Sequence, residues 1–465
     1  MSSAYPPGPK GWLRNLRSLQ HDALQFLTNL ARTYGDAAHF RIGPQPYFFF
    51  AHPDQVKEIL VTHQASFRKN RLLQRGKIVF GEGLLTSEDP LHMRQRRLVH
   101  PAFHRERIAR YGEVMVEKAK EIRDRWRDGE ELDMAREMSA VTLSVVAQTL
   151  LSTEVAHEAD EVGDVMTDLM EMFPILVSPI APIVLKMGFL PRIRRFRRSA
   201  ARLDKTIYSI IDGHRRTGAD RGDLLSMLIL ATDVEGDGSR MTDTQLRDET
   251  ITMFAAGHET TAMALTWTWY LLARNPEVER EFHRELETVL GGRTPSSADY
   301  PRLRYTEMVF AEALRLYPPG WITGREAIED VRIGGYDLPK GAAVMTAQGV
   351  THRDPRFWPD PDRFDPLRFT PEAKAARPKM AYFPFGAGSR ICAGEAFAWM
   401  EGVLILATLG QRWKLESLNE VEVKPVITLR PRTPMRMRVT RRSGAGAGHG
   451  GRDVELRVPV AVSSA

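Results

Sequence analysis

The sequence predicts a mainly α-helical fold with small β-sheets at one side (α+β), built as a single large domain. Three observations carry this. Apolar residues recur at helical spacing over most of the 465 residues. Strand-like alternation is confined to three short clusters. Hydrophobic residues make up 43% and charged residues 27%, the composition of a globular chain with ample material for a core. No repeat with a period of 20–50 residues is visible.

Taken in chain order, the N-terminus MSSAYPPGPKGW has no apolar run of signal or anchor length. HFRIGPQPYFFFA (39–51) reads as two strands around a Gly-Pro turn. The most apolar stretch, MFPILVSPIAPIVLKMGFL (172–190), carries Pro174, Pro179, Pro182 and Lys186. A spanning helix tolerates that poorly, so it reads as a buried or surface-grazing helix–loop. The longest helix is expected from about Thr242 to Asn275. Thr242 or Asp243 can cap its start, and Pro276 ends it. At 1.5 Å per residue it is on the order of 50 Å long, enough to cross a large domain. A second helix covers about 303–317 and stops at Pro318-Pro319. VRIGGYDLPKGAAVMTA (331–347) has a Gly-Gly turn between short strands. A third helix starts just after Cys392, and VKPVITLRPRTPMRMRV (423–439) holds the last strands. From Ser443 the chain is a Gly/Ala-rich tail. The expected organisation is a domain over 1–442 and a flexible appendage over 443–465.

Composition excludes several functions. The net charge is +6, but the 65 basic residues are spread among 59 acidic ones, with no nucleic-acid motif. The charge fits a local basic face for an acidic protein partner better. Cys392 is the single cysteine. That excludes disulfides, zinc clusters and protein-held iron–sulfur clusters, which need several ligands. A reducing compartment and a cytoplasmic location follow, with no membrane span.

Cys392 lies in FGAGSRICAG (385–394), at the mouth of the third helix. A thiol there faces free backbone N–H groups and the positive end of the helix dipole, which favour the thiolate. Arg390 adds positive charge. Gly388 and Gly394 let the backbone bend tightly and let a flat group approach, and Phe385 can shield the sulfur. Three readings remain open on these residues alone: a buried thiolate metal ligand, a small buried hydrophobe, and a nucleophile with a distant base.

FGAGSRICAG fits Phe-x-x-Gly-x-Arg-x-Cys-x-Gly and so resembles the haem-binding loop of the cytochrome P-450 family. The resemblance implies the fold of that family, a single haem-enclosing domain holding haem b (iron protoporphyrin IX), with Cys392 as proximal iron ligand and Arg390 on a propionate. FAAGHETTAMA (254–264) looks like the family's distal helix motif. There, small Ala256 lets the helix pass close over the cofactor, Thr260 stabilises activated oxygen and Glu259 helps deliver protons. His258 is a neighbour, not an iron ligand. AEALRLYPP places Glu312 and Arg315 three apart, and PDRF supplies Arg363; together they resemble the buried network that supports the cysteine loop. In HMRQRR, His92 and Arg96 lie one helical turn apart, and Arg325 stands five residues before an Asp-Val; the resemblance makes all three propionate ligands. It spans about residues 6–441.

The implied activity is haem-thiolate monooxygenation: O2 is activated and an apolar small molecule such as a terpenoid, steroid or fatty acid is hydroxylated or epoxidised. Only 23 residues follow Arg442, so electrons from NAD(P)H are expected through a separate ferredoxin or flavodoxin with its reductase. Arg94, Arg97, His100, His104, Arg105 and Arg107 form the expected docking face. The pocket should draw on Val79, Phe80, Leu84, Phe173, Leu176, Trp321 and Ile322. The protein is expected to be a monomer that binds no nucleic acid. Two rival readings stand: a peroxide-driven haem-thiolate enzyme, and a non-catalytic haem carrier or gas sensor.

Overall fold

The computed structural model describes residues 5–152, 172, 184, 190–233, 235–236 and 238–442. The readings of the 172–190 segment, except at Met172, Val184 and Leu190, and of the tail lie outside the described residues.

The long helix runs Asp243–Arg274. Thr242 caps it: its hydroxyl accepts from Gln245 N–H at 3.2 Å, while Gln245 Oε1 accepts from Thr242 N–H at 2.9 Å. This reciprocal cap contributes about 1 kcal/mol. Asn275 ends the helix, and Pro276 opens the next one, Pro276–Leu290, where its missing N–H costs nothing. The long helix packs against helices Met134–Leu151, Arg304–Leu316 and Glu395–Gly410. Because it is buried on nearly every side, several of its hydroxyls bond back to its own carbonyls. Thr266 and Thr268 donate to the carbonyls of Ala262 and Ala264 at 2.7 Å. Trp267, Trp269, Leu404, Leu406 and Trp413 form the centre of the largest apolar cluster.

Five strands make the main sheet, in the order β1 (Ala37–Ile42), β2 (Gln45–Phe50), β8 (Ala343–Thr346), β5 (Thr323–Ala327), β3 (Phe67–Lys69). Only the β2–β8 pair is parallel. A second sheet joins β4 (Glu131–Asp133), β12 (Arg436–Arg441) and β9 (Trp413–Ser417). Two hairpins stand apart: β6 (Val331–Ile333) with β7 (Tyr336–Leu338), and β10 (Val423–Pro425) with β11 (Leu429–Pro431). Gly334 and Gly335, at φ 55° and 85°, make the expected Gly-Gly turn. β3, β4, β5 and β9 escaped sequence reading. With three to five residues each, they carry too little alternation to register and are defined by their partners.

Candidate functional site

The cysteine loop is a folded turn. Cys392 N–H donates to Phe385 O at 3.0 Å, closing it. Gly386 and Gly388 sit at φ 75° and 74°, a region open to glycine. A Cβ on Gly388 would also lie 1.9 Å from Leu60 O. Gln64 Oε1 accepts from Ser389 N–H at 2.6 Å and pins the turn to the preceding layer. Phe385 packs on the Trp399 ring, with centroids 5.7 Å apart. Gly394 has an ordinary φ of −89°, so flexibility does not explain it. A Cβ there would meet only Phe103, at 3.8 Å. What Gly394 supplies is space.

Helix Glu395–Gly410 begins three residues after Cys392, with Gly394 as its cap. The thiol accepts from Gly394 N–H, which eases ionisation, as does the Arg96 charge. Burial outweighs both and pushes the thiol up to about 11. The expectation that the loop by itself favours a thiolate is therefore corrected: desolvation wins, and a coordinated metal is needed to remove the proton. Yet Cys392 carries exposed surface. Ala393 packs on the same apolar cluster as Phe254 and Ala255 of the long helix, so loop and helix wall one interior.

On the long helix, Ala256 is exposed and Thr260 half-buried within an otherwise buried run. The Thr260 hydroxyl donates to Ala256 O at 2.7 Å, leaving its lone pairs outward. Glu259, one residue and about 100° away, points elsewhere. Arg430 grips both its oxygens, at 2.6 and 2.5 Å, and Thr428 donates to it at 2.8 Å. The expected carboxylate beside the gap is thus clamped to the β10–β11 hairpin, because neighbouring helix positions cannot share a face. His258 is buried, and burial lowers its pKa, which keeps it neutral.

Charged residues meet near the loop. Arg96 Nη1 donates to Ile391 O at 2.7 Å, next to Cys392. Arg325 is buried, and among the described residues its guanidinium donates only to Gly324 O. Among the described residues no carboxylate lies within ion-pair distance of it. Burial, then Arg390, lowers its pKa to about 10. His92 is buried 3.3 Å from Asp89, and burial brings it down to about 4. Arg390 donates to Phe67 O at 2.9 Å and to Glu88 at 2.7 Å. Its charge is therefore spent on Glu88 rather than on the thiol. Lys69 was missed in the sequence: buried, it donates to Leu84 O and Ser87 O at 2.8 and 2.6 Å, and burial lowers it to about 8. Its only sequence signal is alternation with Phe67 on a three-residue strand.

A cluster of buried cations with one unpaired guanidinium requires an anion. With an exposed thiol, an exposed Ala256 and open space at Gly394, these residues fit a haem bearing two propionates.

Glu312 and Arg315 are fully buried and bidentate, at 2.6 and 2.7 Å. Arg315 also donates to the carbonyls of His352, Pro361 and Arg363. Arg363 joins only through that carbonyl; its side chain is exposed. The third member is Arg368, 3.5 Å from Glu312. The sequence holds Pro-x-Arg-Phe twice, at 361–364 and 366–369, and the second is the one that docks.

Val79, Phe80 and Leu84 are buried in one cluster with Phe254 and Ala255. Trp321 and Ile322 belong instead to the cluster under β1 and β2, with Trp321 Nε1 bonded to Val426 O. Phe173 and Leu176 lie outside the described residues. On the expected docking face, Arg94 and Arg97 close on Asp233 at 3.3 and 3.2 Å, and Arg107 on Asp220 at 2.8 Å. His100, His104 and Arg105 remain exposed. No helix among the described residues is long and apolar enough to cross a membrane.

A family profile described as cytochrome P450 matches residues 6–437. Cyclooctatin synthase of Streptomyces melanosporofaciens is 40% identical over 86% of this chain and 87% of its own. Cyclooctat-9-en-7-ol 5-monooxygenase of the same organism is 34% identical, covering 88% of each chain. Pentalenene oxygenase of Streptomyces avermitilis is 34% identical over 90% of this chain and 92% of its own. The crystal structure of the cytochrome P450DA heme domain superposes with a TM-score of 0.84 at 26% identity, covering 95% of this chain and 99% of that one.

Proposed function

The chain belongs to the cytochrome P450 family, and from that premise we propose that it oxidises a terpenoid, holding haem through Cys392. It is a monooxygenase that uses haem b, O2 and electrons originating in NAD(P)H. Haem bound here supplies the O–O cleavage and the C–H oxidation. The chain's own residues bind, orient and manage protons.

One observation carries the cofactor assignment: an exposed thiol next to Ala393, which packs on the same apolar cluster as Phe254 and Ala255 of the long helix. Gly394 N–H steadies the sulfur. Arg325, Arg96, Arg390 and His92 are proposed as propionate ligands, joined by Lys69. Arg325 is the strongest candidate, being buried without a carboxylate. His92, neutral above about pH 4, serves as a hydrogen-bond donor.

Thr260 is proposed to hold the proton at the substrate side of the long helix. Its lone pairs accept from a water while its own proton stays on Ala256 O. Glu259 is proposed as the supplier behind it. Its partner Arg430 is about one-third exposed, so the far end of the pair borders solvent while the carboxylate itself stays buried. Freeing Glu259 requires release of both Arg430 bonds and of the Thr428 bond.

A terpenoid is favoured because Val79, Phe80, Leu84 and Phe254 offer a wide apolar wall and the relatives' printed names concern cyclooctatin and pentalenene. Family members draw electrons from a redox partner; we assign that role to a ferredoxin or flavodoxin in the cytoplasm, docking near exposed Arg105. Arg97 is already balanced by Asp233, so Arg105→Glu should raise the apparent KM for ferredoxin several-fold. No change would sink that face.

Two spectra test the core proposal. The reduced protein with CO should show the red-shifted band of thiolate-ligated haem, and Cys392→Ala should lose it. In a ligand library, cyclic terpenoids should perturb the haem spectrum at lower concentration than fatty acids or steroids; the reverse order would overturn the substrate class.

A further inference from the structure

We propose that Glu249 and Thr252 of the long helix hold an oxygen the substrate already carries, so that the terpenoid taken here is an alcohol or ketone rather than a hydrocarbon. The inference rests on the terpenoid reading above and narrows it.

Glu249 stands seven residues before Ala256 and eleven before Thr260. Those spacings are about two and about three helical turns, so the three residues share one stripe of the long helix. Thr252, four residues before Ala256, lies at the edge of that stripe. The surroundings are apolar: Met253, Phe254 and Ala255 join Val79, Phe80 and Leu84 in one cluster.

Two polar atoms in this setting are left over. Glu249 is fully buried, and its Oε2 accepts from Leu84 N–H at 3.1 Å. Its Oε1 is buried without a hydrogen-bond partner among the described residues. Thr252 is buried as well, and its Oγ1 has no partner there either. Gly83 brings the loop down onto this spot: a Cβ on it would lie 2.2 Å from Thr252 Oγ1. Pinning that loop through Leu84 uses one carboxyl oxygen and explains half the group.

Burial pushes Glu249 up to about 8; Leu84 N–H pulls it back, Asp248 raises it and Lys69 lowers it. At neutral pH the carboxyl therefore keeps its proton. With Oε2 accepting, that proton sits on Oε1 and is a buried donor lacking an acceptor, a state that is costly until a partner arrives. A ligand oxygen accepts from Oε1–H, and a ligand hydroxyl can donate to Thr252 Oγ1. A hydrocarbon does neither and leaves both atoms unpaired.

The test is a set of haem-spectral titrations on the haem-loaded full chain, comparing bornane with borneol and camphor, and cedrane with cedrol. Each oxygenated compound is expected to bind about tenfold tighter than its hydrocarbon. Glu249→Leu should bring that preference below about threefold. Glu249→Gln keeps an acceptor for Leu84 N–H and a donor beside it, and should retain the preference. If Glu249→Leu does not hold haem, Thr252→Val probes the site with Glu249 in place and should lower the preference for the alcohols about threefold. The readout is the ratio of the two affinities, because a loosened loop would weaken hydrocarbon and alcohol alike. Equal affinities in the wild type, or an unchanged ratio in the haem-loaded Leu or Val variant, overturn the proposal and leave the terpenoid reading standing. Fatty acids binding ahead of all these compounds would overturn that reading, and the proposal with it.

Discussion

Two buried carboxylate–arginine pairs brace the interior, and the chain assembles them in opposite ways. Glu312 and Arg315 lie three residues apart on one helix, so a single helical turn brings them together. Glu259 and Arg430 are separated by 171 positions and meet only because the β10–β11 hairpin folds back on the long helix. The first pair is sealed, with both side chains fully buried; the second keeps Arg430 about one-third exposed. Burial pushes Glu312 up despite its arginine, so the pair is tolerated through the full set of bonds Arg315 makes to His352, Pro361 and Arg363. A sealed network is a scaffold, since removing one member strands the rest. A pair open on one side can exchange partners, which is what proton supply requires.

The largest effect is expected from the sealed pair. Arg315→Ala strands Glu312 and three carbonyls and should cost about 3–5 kcal/mol, with loss of the CO band. A folded, haem-replete Arg315→Ala protein would show that the network does not support the cysteine loop.

Arg430→Ala leaves Glu259 in contact with Thr428 and water. Urea unfolding should register a loss of about 2 kcal/mol, with haem retained. Its steady-state turnover should fall more than its haem content; equal losses would make the clamp purely structural.

A carboxylate with no arginine sharpens the contrast. Glu401 is fully buried, and burial raises it to about 8, with Thr261 pulling back. The folded state therefore holds a proton that the unfolded chain releases near pH 4.5. Stability from this group is fully present below pH 4.5 and drains away up to about pH 8. Glu401→Gln should remove that slope, gaining on the order of 4 kcal/mol over wild type at pH 8.5 and little at pH 4.5. Parallel stability curves for the two proteins would discard this account.

The smallest effect separates the two Pro-x-Arg-Phe repeats. Arg363→Ala should stay within about 0.5 kcal/mol, because only its carbonyl is used. Arg368→Ala, 3.5 Å from Glu312, should cost about 1 kcal/mol or more. Thermal melts that rank them in the reverse order would restore Arg363 to the network.

Local order was readable wherever partners are close in sequence. The Thr242 cap, the Pro276 stop, the Gly334-Gly335 turn and the Glu312–Arg315 pair all involve residues within a few positions, where backbone geometry alone dictates who meets whom. Lys69, Arg430 and the docking of Arg368 over Arg363 were not readable. Each depends on which of several equivalent charges a distant element presents, and one-dimensional spacing carries no such information. The same limit explains Arg94, Arg97 and Arg107, basic in sequence yet paired with Asp233, Glu235 and Asp220.

By itself, then, the sequence determined the fold class and singled out Cys392, Ala256 and Thr260 as site candidates, because motif and periodicity are local properties. Tertiary structure alone decided that the Cys392 thiol is desolvated to about 11, that Glu259 turns to Arg430, and that the β3–β5 pair shows cations on both faces. Burial and long-range charge pairing belong to the assembled interior, where desolvation and the nearest counter-charge outweigh whatever a residue's sequence neighbours suggest.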